Sequence, residues 1–230
     1  MTEEDISPAK SNSLESFSAH PFVRALLQLD PLGVGSALDV ILSEHHQELA
    51  KKRFRTLVGE LDKGVKEFTP DVINSDDFLH AFFSVTEASL KTRRRQKIKY
   101  FGRMLRSVTA HNELHLDLTD ELIGLLDNLS LRELKLLSIL DKYESEPRDL
   151  PSDLPETDVV SKYWKDLVDT ACRELKMEIS ELNAMLSKLQ GMGLFRNFGT
   201  FFSNSTETRG KTTVVFQQMK ERIVMSPKDF

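Results

Sequence analysis

Ile179-Ser180-Glu181-Leu182-Asn183-Ala184-Met185-Leu186-Ser187-Lys188-Leu189-Gln190-Gly191-Met192-Gly193-Leu194-Phe195 carries two structural signals back to back. Ser180 is the residue type that caps a helix by accepting from backbone amides. Behind it Leu182, Met185, Leu186 and Leu189 recur at three- and four-residue steps, so the spacing predicts one inward-facing helix. Gly191-Met192-Gly193 ends it. Leu194 to Phe202 is aromatic and β-leaning and reads as a strand, followed by a polar turn from Ser203 to Gly210. Beyond the turn two patterns compete. Thr212 to Phe216 has the composition of a return strand, whereas Val215, Met219 and Ile223 stand at helical steps. The periodicity tips residues 208–222 toward a closing helix, with β-structure expected only between Leu194 and Gln217.

Moving toward the N-terminus, Val160, Trp164, Leu167, Val168, Ala171 and Leu175 mark another helix. Trp164, the only tryptophan, falls on its apolar side and is expected to be buried. Tyr143 to Pro155 holds three prolines and five charged residues and reads as an exposed linker or long loop. Ser130-Leu131-Arg132-Glu133 matches a capping box, with Leu134, Leu137 and Leu140 behind it. A helix is expected over Thr119 to Asn128, and the polar, alternating segment His111 to Asp117 reads as a connector.

The front half repeats helical signals alone. After Pro21 comes a short apolar piece, Phe22 to Leu27. Val34, Leu38, Ile41, Leu42, His45 and Leu49, then Leu57, Leu61, Val65 and Phe68, predict one long helix stopped by Pro70. Asn74 or Ser75 caps a helix through Phe78, Phe82 and Val85. Another covers about Arg94 to Ala110, with Ile98, Phe101, Leu105 and Val108 inward. Such amphipathic helices joined by short turns bury their stripes most simply as a bundle.

The order helix, helix, third helix ending in Gly-x-Gly-Leu-Phe, strand and polar turn resembles a winged helix. Leu182, Met185, Leu186, Leu189, Gly193 and Leu194 carry the resemblance, over roughly Leu131 to Ile223. The whole chain also looks like a loose group of uncharacterised bacterial proteins with a helical front half and such a tail. Lys97-Ile98-Lys99-Tyr100-Phe101, Leu129 to Leu137, and Thr208-Arg209-Gly210-Lys211 leading to Val214 and Phe216 carry that likeness, which implies no activity. The expected architecture is therefore mainly α: a tail over 1–19, a helical bundle over 20–128, a winged-helix-like module with an α/β-hairpin over 129–224, and a second tail over 225–230. The Ser- and Glu-rich first tail is expected to be disordered.

Hydrophobic residues make up 40% and charged residues 29% of 230, an ordinary globular balance, and the net charge is −5. The molecule as a whole is not built to sit on DNA or an anionic membrane, although a local patch can act alone. Cys172 is the only cysteine, which suggests a reducing compartment and a cytoplasmic protein. No stretch reads as a membrane span: Phe22 to Leu42 is broken by Arg24, Asp30, Pro31 and Asp39. The start Met-Thr-Glu-Glu-Asp has the wrong charge for a secretory signal.

A winged helix implies DNA binding through its third helix, which needs donors for bases and phosphates. Here that helix offers Lys188 against Glu181, with Asn183, Ser187 and Gln190 but no arginine. The helix before it carries Asp158, Asp166, Asp169 and Glu174. Only Arg196, Arg209 and Lys211, near the wing, are well placed for phosphates. A stronger charge feature is the run Lys91, Arg93, Arg94, Arg95, Lys97, Lys99, Arg103 and Arg106, which contains no acid. On a helix, Lys91, Arg95, Lys99 and Arg103 stand at four-residue steps with Arg106 beside them, forming one stripe. Either acids of a neighbouring helix answer it, with Asp76, Asp77 and Glu87 as candidates, or it faces an anionic partner. Tyr100 lies nearer the inward edge but could stack a base.

His111, Glu113, His115 and Asp117 alternate in the connector, a pattern that can ligate a divalent metal and that more often is merely solvated. Cys172 lies inside a helix, where cysteine acts as a small hydrophobe. Gly33-Val34-Gly35-Ser36 reads as a tight turn after a proline, and no nucleotide-binding or nucleophile-elbow pattern occurs. No catalytic residue, metal or cofactor is expected. The expected role is a non-enzymatic interaction protein with a protein partner or a second copy of itself; a nucleic-acid binder or transcription regulator is the alternative.

Overall fold

The computed structural model describes residues 17, 19–28, 47–110, 116–151, 153–199, 208–223 and 225. Among these, ten α-helices account for most of the chain, and a two-stranded sheet near the C-terminus is the one sheet. The protein is mainly α. Two compact units divide it, Met1–Ile123 and Gly124–Phe230, so the division falls within a helix, a few residues before the boundary expected at 128.

The first unit contains α1 (Pro21–Gln28), α2 (Gln47–Leu61), a 3-10 segment (Asp62–Glu67), α3 (Pro70–Ile73), α4 (Asp76–Lys91), α5 (Arg95–Ala110) and the start of α6 (Leu116–Asn128). Ser75 caps α4 by accepting from the Phe78 amide, as its residue type suggests. The helix expected to run unbroken to Pro70 stops at Leu61. Gly64 departs from helical geometry at φ −122°, and glycine is the residue least able to hold a helix interior. Asp62 accepts there from His20 Nδ1 at 2.6 Å and from the Phe22 amide at 3.0 Å, which ties α1 to this break. Thr69 then caps the short α3. Residues 29–46, which carry the rest of that expected helix and the Gly33 turn, lie outside the described residues.

The core of this unit is aromatic. Phe22 meets Phe68 edge-on at 4.8 Å, and Phe78 and Phe82 stack beside them. Phe17 belongs to the segment expected to be disordered. It is instead buried, edge-on to Phe54 at 5.1 Å, because its ring completes the apolar surface of α2. Helices α2 and α5 pack at close range. A Cβ at Gly102 would lie 2.9 Å from Glu60 Cβ, so only glycine permits this spacing.

The second unit contains α7 (Leu131–Ser145), α8 (Glu156–Leu175), α9 (Ile179–Gly191), β1 (Phe195–Asn197), β2 (Gly210–Thr212) and α10 (Val214–Ile223). Both halves of the Ser130–Glu133 capping box form. Tyr143, expected in a linker, lies inside α7, because its hydroxyl meets Thr170 Oγ1 at 2.9 Å and its ring stacks on Tyr163 of α8. Packing against α8 thus extends the helix past the point where composition turns polar. The cap of α9 is Glu178 rather than Ser180, without a side-chain cap bond. A left-handed turn at Lys176 and burial of Met177 start the helix early and leave Ser180 in its first turn.

After α9, Gly193 takes φ +73° and the chain enters β1, which is shorter than the predicted strand; residues 200–207 lie outside the described residues. β1 pairs antiparallel with β2, Arg196 opposite Lys211. At Gly210 an added Cβ would fall 2.0 Å from the Arg196 carbonyl oxygen, so only glycine fits. Of the two competing patterns after the turn the helical one holds, over Val214–Ile223, whereas the return strand lies earlier than Thr212 to Phe216, at Gly210–Thr212. β2 ends at Thr212, and Thr213 Oγ1 accepts from the Phe216 amide to start α10.

Trp164 is 6% exposed and lies 6.3 Å from Phe195. Trp164→Ala should therefore lower the stability of the second unit by about 3–5 kcal/mol, read by chemical denaturation. Gly102→Ala should cost about 1–3 kcal/mol by forcing α2 and α5 apart, with a lower melting temperature for the first unit. A neutral effect would show that the helices can separate freely there.

Candidate functional site

The basic run 91–106 divides along α5. At its C-terminal end, Arg103 Nε lies 3.3 Å and Arg106 Nη1 3.9 Å from Glu60 Oε1, whose residue is 3% exposed. Lys63 also donates to Glu60, at 2.7 Å. The acid that answers these arginines comes from α2; Asp76 and Asp77 do not supply it. Glu60 could have been found only by knowing which helix packs on α5. Lys91 pairs with Glu87 one turn earlier at 2.6 Å, one of the candidates from the sequence. Lys97 is buried, and Tyr100 is buried too, so its ring is closed to a stacking base.

The N-terminal end of α5 differs. Arg93, Arg94 and Arg95 are exposed and Lys99 half-buried, and among the described residues none of the four has a carboxylate partner. Three arginines thus gather at the positive end of a helix dipole whose first turn holds no acid. That arrangement is mildly unfavourable by itself and favours an incoming anion.

In the second unit two of the hairpin cations are already neutralised. Glu156, in the first turn of α8, accepts from both Arg196 and Lys211, which face each other across the strand pair. Its carboxyl is held below the usual range chiefly by the Lys211 hydrogen bond. Arg209 donates to Ser161 Oγ at 3.2 Å. On α9, Lys188 turns to Glu133 at 2.7 Å and to the Asn128 carbonyl oxygen, while Glu181 pairs with Arg132. The sequence reading set Lys188 against Glu181; the structure gives each a different partner.

Two carboxylates in this unit are tuned in opposite directions. Burial pushes Glu144 up, although it accepts from the Thr212 amide at 2.7 Å and hydroxyl at 2.6 Å. Burial acts the same way on Glu133, but Lys188 and the Ser130 amide and hydroxyl outweigh it and hold that carboxyl down. Tyr163 is pushed up to about 12 by burial and by Glu144, and the Arg148 guanidinium covers its ring at 4.2 Å. Burial, with Asp169 and Glu178, raises the Cys172 thiol and disfavours a thiolate there. Residues 111–115 of the alternating His/Glu connector lie outside the described residues; among those described, no group of His, Cys, Asp and Glu is placed to hold a metal. No helix among them is long and apolar enough to cross a membrane.

Comparisons with protein-family models, with curated proteins and with solved structures return no match.

The opposite shifts of Glu144 and Glu133 give opposite pH signatures. A carboxyl raised by folding stabilises below its ordinary value of 4.5, and this contribution is lost as pH rises through the folded value. Glu144→Gln should therefore gain stability relative to the parent as pH rises from about 4 toward 7. A lowered carboxyl stabilises above its ordinary value, so the deficit of Glu133→Gln should be largest near neutrality and shrink as pH falls. Thermal melts across pH check both slopes.

Proposed function

We propose that the protein is a non-enzymatic interaction protein whose first unit docks an acidic surface of a partner protein. The observation that carries this reading is the group Arg93, Arg94, Arg95 and Lys99, open and without carboxylates at the start of α5. Arginine forks suit carboxylates, which they can grip with two parallel hydrogen bonds. Nucleic acid fits less well. Its affinity grows with the number of phosphates met along a backbone, and the stripe is interrupted where Arg103 and Arg106 turn to Glu60. Arg196 and Lys211 are likewise engaged by Glu156. The order of three helices and a hairpin supports a winged-helix-like reading of the second unit, used for protein contact rather than DNA.

Arg93→Glu, Arg94→Glu and Arg95→Glu together should leave the melting temperature within a degree or two, because exposed charges contribute little. Binding to a poly-glutamate probe should be lost, and with it the salt dependence. Arg103→Glu with Arg106→Glu should instead lower stability, because two like charges would be set against a buried Glu60. Preferential binding to single- or double-stranded nucleic acid, abolished by the same triple change, would overturn the protein-partner reading in favour of the alternative.

A further inference from the structure

The chain's own first residues are as acidic as the start of α5 is basic. Glu3, Glu4 and Asp5 are consecutive, and Lys10 is the only base between Met1 and Ser16. That segment lies outside the described residues, but the point where it joins the fold does not. Phe17 is buried edge-on against Phe54 of α2, with the Arg55 guanidinium over its ring at 5.6 Å. Next to Phe54, Arg53 donates to the Leu90 carbonyl oxygen near the end of α4, three residues before Arg93. The segment therefore joins the first unit on the helix that touches the approach to the arginine cluster. The stretch from Asp5 to Phe17 can span up to about 40 Å when extended. That is as long as a unit the size of Met1–Ile123 is wide, since its radius of gyration is roughly 14 Å.

Resting on the docking role proposed above for Arg93, Arg94 and Arg95, we infer that Glu3, Glu4 and Asp5 occupy the same arginines within one chain and compete there with the acidic partner. The cluster offers three exposed guanidinium forks that have no carboxylate partner among the described residues. The neighbouring cations are already engaged, Lys91 by Glu87 and Arg103 and Arg106 by Glu60, so the acidic segment is directed to the open end of the run. A tether this short holds its carboxylates at an effective concentration on the order of millimolar. Ion pairs in water are individually weak, so the contact covers the arginines when no partner is present and yields to a larger acidic surface. An internal competitor lowers the apparent affinity of every acidic ligand by the same factor, and thereby excludes the weakest ones.

The test is polarisation binding of labelled poly-glutamate to the full chain and to the triple variant Glu3→Gln, Glu4→Gln, Asp5→Asn, which keeps side-chain size and removes charge. The variant should bind at least about threefold more tightly, because the apparent Kd scales inversely with the fraction of molecules whose arginines are open. Its melting temperature should stay within a degree or two of the parent. A synthetic peptide of residues 1–12 should displace poly-glutamate from this variant. The control Asp149→Asn, Asp153→Asn, Asp166→Asn removes the same charge from exposed positions of the other unit and should leave the affinity unchanged. An equal gain in that control would overturn the inference, because net charge alone would then account for it. Equal binding by the parent and the variant would also overturn it, while leaving the docking reading intact. Failure of both chains to bind poly-glutamate would overturn the two together. Conversion of a dimer to a monomer by the triple change, seen by light scattering, would make a second copy the occupant and likewise overturn the contact within one chain.

Discussion

Glu60 and Gly102 set the geometry of the first unit. Without a side chain at Gly102, α5 comes close enough to α2 for the stem of Glu60 to pass beneath it. The Glu60 carboxylate then surfaces among Lys63, Arg103 and Arg106. A buried acid is tolerable only when its charge is answered, so these cations are structural before they are anything else. What remains of the basic run for a partner is therefore the end that Glu60 cannot reach.

The same logic operates in the second unit with different atoms. Glu133 closes the capping box of α7 and at the same time holds Lys188 of α9. Arg132 joins the carbonyl end of α8 to Glu181. Glu144 and Asp141 on α7 hold Thr212, Gln217 and Lys220, and so fix β2 and α10. Arg132, Lys135, Lys188, Arg196, Lys211 and Lys220 each join one element to another in this way.

The arginine cluster that remains is electrostatic and weakly shaped, suited to fast, salt-sensitive encounter.

Periodicity alone located the apolar faces of α4, α5, α8 and α9, because a helix repeats every 3.6 residues and its inward residues must follow. The Ser130 box, the glycine stop after α9 and the burial of Trp164 were legible for the same reason: each depends on neighbours in the chain. The break at Leu61, the continuation of α7 through Tyr143 and the burial of Phe17 were not. They depend on Asp62 meeting His20, Tyr143 meeting Thr170, and Phe17 meeting Phe54 across long separations. The basic run was visible as a list of charges, but its division into a structural half and an open half was decided by one glutamate on another helix. A local pattern records which face a residue takes; only tertiary packing decides what waits on that face.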